Sequence, residues 1–185
     1  MSERLEVTPS QTVGPFFAIG LPWPEGPNAA AADEPGALVI SGVLTDGEGK
    51  PIGEGMIETW QPDADGNFGE RPGFRGFARA ATDDDGFWTI RTVKPGRVPG
   101  VGGLGGSGSA RQAPHIDVSV FGRGLFHRSV TRIYFADEEA ANAEDPVLAT
   151  VPVDRRDTLL ATRTDDGYRF DIRLEGDGET VFFDV

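Results

Sequence analysis

The chain has 185 residues, 38% hydrophobic and 25% charged, a formal net charge of -13 and no cysteine. Its length suits one domain with an arm, and the missing cysteines exclude disulfides and thiolate metal sites. The acidity argues against nucleic acid and predicts long-range repulsion of anions, so an anion site must be a local exception built from a few cations.

Residues 1–35 read as an irregular arm, with prolines at 9, 15, 22, 24, 27 and 35 and alanines at 29–32. Pro9 and Pro15 argue against a helix over residues 8–17, and Phe16 and Phe17 are expected to anchor the arm. From residue 37 short strands alternate with turn signals. The expected strands are Ala37–Leu44, Gly55–Gln61, Phe77–Ala81, Phe87–Val93, Pro114–Phe121, Val130–Phe135, Thr158–Arg163, Tyr168–Leu174 and Thr180–Asp184, with a short helix over Glu138–Asn142. Eight or nine strands with little helix define an all-β fold, a β-sandwich over residues 36–185 carrying an extended N-terminal arm. The Gly-rich stretch 96–110 reads as a mobile loop within that domain, because neither flank holds enough strands to fold alone. No run reaches the roughly 18 apolar residues of a membrane span. No secretory signal is visible, so the expected location is cytoplasmic.

The stretch Pro114–Phe121 carries the main chemical question. With period-two alternation His115 and Asp117 share one face, while Ile116, Val118 and Val120 take the other. His115 reads either as a buried, hydrogen-bonded histidine or as part of a metal site. An iron site of this kind needs at least three protein ligands. His127 follows a turn, and Tyr134 and Tyr168 read as ordinary sheet residues. Asp63–Asn67 opens like a calcium loop, but Phe68 and Phe74 stand where Gly and Glu are needed, so it reads as a turn. Trp60 and Trp88 read as core or interface aromatics. Arg128 and Arg132 are the anion candidates, and Arg132 on its strand is either a solvated outer-face residue or a carboxylate clamp.

The blocks Thr8–Phe16, Glu58–Ala64, Thr82–Trp88, Thr92–Gly96, Ala113–Ile116, Thr131–Phe135 and Tyr168–Ile172 resemble, in order, those of the protocatechuate 3,4-dioxygenase family of intradiol ring-cleavage enzymes. The closing Gly178–Asp184 resembles the family's alpha chain in particular. The resemblance implies an oxidoreductase of alpha and beta chains, with ferric iron held on the beta chain by two Tyr and two His. In this sequence Phe68 stands at the first tyrosine position, the His-x-His pair reads His115-Ile116-Asp117, and no tyrosine precedes Ala113 in the loop. It therefore implies a degenerate metal site at Phe68, His115 and Asp117, with no metal in this chain and Fe(3+) supplied by the beta partner.

The implied role is to complete the partner's pocket for a small aromatic acid and O2, through Thr12, Gly14 and Pro15 in the arm and Arg132 on its strand. The isolated chain is then expected to be inactive. The alternative is a non-catalytic β-sandwich binding module that kept only the fold.

Overall fold

The computed structural model describes residues 7–100 and 111–184. Nine strands form the architecture: β1 Ala37–Thr45, β2 Gly55–Trp60, β3 Phe77–Ala81, β4 Phe87–Val93, β5 His115–Gly122, β6 Ser129–Phe135, β7 Leu160–Arg163, β8 Gly167–Arg169 and β9 Ile172–Arg173. They run in the order β3-β2-β5-β6-β7-β8-β1-β4, with β9 beside β1. The leaf β3-β2-β5-β6 is antiparallel throughout. β7 pairs parallel to β6 and antiparallel to β8, so it links this leaf to the second, β8-β1-β4.

The alternation in sequence dictates which face is inside. Ile57, Ile116, Val118, Val120 and Ile133 from one leaf meet Ile40, Leu44, Trp88, Ile90 and Tyr168 from the other in a single apolar core. Burying a side chain of this size contributes about 1.5–3 kcal/mol, so the strands are held by packing more than by propensity.

A smaller apolar cluster lies outside β6. Ala113, Tyr134, Leu148, Val151 and Leu159 pack under the helix α2 Glu139–Glu144 and two 3-10 turns, Leu148–Thr150 and Val153–Leu159. The sequence reading placed a strand from Thr158; instead residues 153–159 form the 3-10 turn, and β7 begins at Leu160. The expected strand Tyr168–Leu174 is split into β8 and β9, because β1 pairs with the first at Val39–Ser41 and with the second only at Leu44 and Thr45.

The expected strand Thr180–Asp184 is not one. β6 is taken by β5 along its length and by β7 at Tyr134 and Phe135, which leaves a single bridge from Val130 to Phe183. Side chains fasten this tail instead: Thr131 Oγ1 donates to Val181 O at 2.7 Å, and Val181 N donates to Thr158 Oγ1 at 3.2 Å.

The arm also departs from expectation at its end. One helical turn, α1 Phe17–Gly20, begins two residues after Pro15. Of the two phenylalanines Phe17 is buried, while Phe16 is 78% exposed. Most of the Gly-rich stretch, residues 101–110, lies outside the described residues. Its two ends are pinned together: Pro99 bridges Arg111, and Gln112 N donates to Val98 O at 2.8 Å.

Candidate functional site

The site is built on the outer face of the β3-β2-β5-β6 leaf. Register places Phe77, Trp60, Asp117 and Arg132 in one row across the four strands, with His115 opposite Tyr134 in the neighbouring row. Residues of one row lie close enough for their side chains to interact. Phe68 joins the group from its loop, its ring stacked on Trp60 at 6.2 Å between centroids. The structure thus brings Phe68, His115, Asp117 and Arg132 to one patch.

Arg132 is its centre. Its Nε donates to Asp117 Oδ1 at 2.9 Å, and its Nη1 donates to Gln112 Oε1 at 2.7 Å and contacts the Tyr134 hydroxyl at 3.4 Å. Nη2 has no hydrogen bond among the described residues. The reading of Arg132 as a solvated outer-face residue does not hold, since its side chain is only 17% exposed.

Behind Arg132 sits a carboxylate that the sequence reading missed. Asp145 is fully buried and accepts from Ala113 N at 2.7 Å, Val147 N at 2.9 Å, Leu148 N at 2.7 Å and the Tyr134 hydroxyl at 3.2 Å. A buried carboxylate with that many donors is satisfied as an anion. It ties the segment before β5 to the turn after α2 and orients Tyr134. The Tyr134 phenol is pushed well above its usual value, by burial first and then by the Asp145 charge, so it stays protonated. The available signal was the Asp145-Pro146 pair, a turn initiator.

His115 is buried, and its Nδ1 lies 2.8 Å from Ala113 O. The nitrogen therefore carries the proton, because a carbonyl can only accept. Nε2 points toward Asp117 Oδ1 at 3.9 Å, beyond hydrogen-bond reach. Burial, and then the Arg132 guanidinium, depress the imidazole below its ordinary pKa and keep it neutral.

These residues do not fit a ferric ion. Phe68 has no phenolate to offer, and Asp117 already faces a guanidinium. The arginine puts a fixed positive charge beside the two remaining donors. Among the described residues no group of three or more His, Cys, Asp or Glu could hold a metal.

Thr12 is exposed, and no hydrogen bond among the described residues joins Thr12, Gly14 or Pro15 to Arg132. The arm is tethered on both sides of the leaf, though. Ser10 Oγ lies 3.3 Å from His127 Nε2 in the β5–β6 loop, and Leu21 O accepts from Arg79 Nη1 on β3 at 3.1 Å. Trp23 then stacks on Phe77 at 6.3 Å. Between these anchors the leaf carries a depression of about 250 Å³ lined by Trp60, Phe77, Asp117, Ser119, Arg128 and Val130. Arg128 is exposed at its rim.

The two-leaf sandwich falls into a known class. Residues 14–176 match the family described as Dioxygenase, and the chain belongs to that family, the intradiol dioxygenases. It is 43% identical to the protocatechuate 3,4-dioxygenase alpha chain of Burkholderia cepacia, over 98% of each chain. It is 32% identical to the beta chain from the same organism, over 75% of this chain and 64% of that one. Among solved structures, the dioxygenase domain of a carbohydrate-binding fusion protein from Streptomyces sp. SirexAA-E is 26% identical. It covers 92% of this chain and 99% of that chain with a TM-score of 0.56.

Proposed function

We propose that this chain is the alpha subunit of a heteromeric protocatechuate 3,4-dioxygenase. The complex cleaves 3,4-dihydroxybenzoate between its hydroxyl-bearing carbons with O2, giving 3-carboxy-cis,cis-muconate. The observation that carries this is the end-to-end match to an alpha chain, joined to a donor set in which an arginine stands against the would-be ligands. Ferric iron belongs to the beta partner, and this chain supplies walls and orientation. The working location is the cytoplasm; no helix of the described residues is long and apolar enough to cross a membrane.

Arg132 presents a guanidinium held on two nitrogens, with no hydrogen bond on the third among the described residues, an arrangement suited to a substrate carboxylate. The arm, residues 1–35, contributes to the partner interface and to the pocket through Thr12, Gly14 and Pro15. What supports this is its position between two tethers beside the depression, and its apolar surface. Phe16 and Ile19 are 78% and 76% exposed, and Val13 and Leu21 are also open. Four exposed apolar side chains within nine residues favour an interface role for the arm.

The test is co-expression with a beta chain that has an intact Tyr/His set. The complex is expected to hold iron and turn over 3,4-dihydroxybenzoate, and the lone chain to do neither. Iron and turnover in the lone chain would overturn the proposal.

A further inference from the structure

Asp117 stands between Arg132 and the depression. It lines that depression, while Arg132 meets it from the side as its register partner. Among the described residues Asp117 has one charged partner within 4 Å, Arg132 at 2.9 Å; the neutral His115 Nε2 lies out of bonding reach at 3.9 Å. Its side chain is 40% exposed. An ion pair this open is weak, worth at most about 1 kcal/mol. Gln112 and Tyr134 hold the guanidinium independently of it. Arg132 would therefore keep its place if Asp117 let go.

The geometry points to Asp117 as a specificity-determining residue. Its carboxylate is the resident occupant of Arg132, and an aromatic carboxylate bound against this face must share or displace it. This rests on the pocket role given above to Arg132. The device weakens binding of every anionic ligand and leaves uncharged ones untouched. It sets the acid affinity of the site by a side-chain counter-ion and keeps a half-buried arginine neutralised when no ligand is present. Discrimination of this sort comes from a built-in competitor as much as from attraction.

The experiment uses the assembled alpha–beta complex under anaerobic conditions, with titration calorimetry of 3,4-dihydroxybenzoate and of uncharged catechol. Asp117→Asn keeps the shape and removes the charge. The Kd for the acid is expected to fall roughly three- to fivefold, the size of one open ion pair, with catechol unchanged. An unchanged or weakened acid affinity, or equal tightening of both ligands, would overturn the inference. Arg132→Gln in the same complex reads the underlying function separately. If it weakens acid binding while Asp117→Asn does nothing, only the role of Asp117 falls. If neither variant alters acid binding, the pocket role of Arg132 falls with it. Asp117→Ser carries the same expectation should the Asn variant not assemble. Failure of both to assemble would make Asp117 a structural requirement and also end the proposal.

Discussion

Asp117 and Arg132 face each other across β5 and β6 as register partners, with Nε and Oδ1 2.9 Å apart. That pairing puts a guanidinium beside the Asp117 carboxylate, with the neutral His115 imidazole close by. The cation is covalently part of the chain and offsets the charge of Asp117. The consequences are measurable.

Removing the guanidinium exposes this balance. Arg132→Met leaves Gln112 Oε1 and the Asp117 carboxylate without their shared donor. A loss of about 1–3 kcal/mol in unfolding free energy is expected, read by urea denaturation of the full chain. Arg132→Lys recovers only part of it, since an ammonium cannot span Asp117 and Gln112 in a planar fork.

Asp145 is expected to be the more costly position. Asp145→Ala strands three backbone N–H groups and the Tyr134 hydroxyl inside the smaller apolar cluster. A destabilisation of about 3 kcal/mol or more follows. Tyr134→Phe removes one weaker bond of the same set and costs about 1 kcal/mol. Thermal melts should rank the two in that order; a larger effect for Tyr134→Phe would contradict the assignment of Asp145 as the hub.

Gly14 tests the arm. Its φ is +70°, yet a Cβ there would meet nothing within 4 Å. The glycine is required by backbone conformation and not by a neighbour among the described residues. Gly14→Ala is expected to cost about 1 kcal/mol locally and to leave the melting of the lone chain nearly unchanged, because the arm is outside the core. In the complex it should raise KM for 3,4-dihydroxybenzoate severalfold. An unchanged KM would remove Gly14 from the pocket.

The neutral, buried His115 makes stability pH-dependent. Its folded pKa lies below the ordinary 6.5, so the unfolded chain binds a proton that the folded chain refuses. The contribution is complete above about pH 6.5 and is lost as the pH falls through the depressed folded value. Asp117, Asp145, Tyr134 and Arg132 are the charged or titratable groups facing it. Urea midpoints at about pH 7.5 and about pH 5 should differ less for His115→Asn than for the unchanged chain. Equal differences would mean that other groups set the acid limit.

Much of the fold is legible in residue order alone. Alternation in Phe77–Ala81 and Phe87–Val93 marks strands that the structure reproduces to the residue, because each strand has one face in the core and one in water. The chemistry of Phe68 is equally local: a phenyl ring has no donor atom for a ferric ion wherever it lies. Phe16 and Phe17 looked alike in sequence, but one is buried and the other points to solvent, since a helical turn sends neighbours in different directions. Residues 180–184 carry a strand-like pattern with no free partner strand to accept it. The sequence also says nothing of Gln112, Tyr134 and Asp145 meeting Arg132, for these residues lie up to 33 positions apart in the chain and join only when β5, β6 and the turn after α2 pack together. Side-chain chemistry is written in the order of residues; which charge neutralises which is settled by the distances that folding imposes, and an ion pair depends on distance far more steeply than on sequence separation.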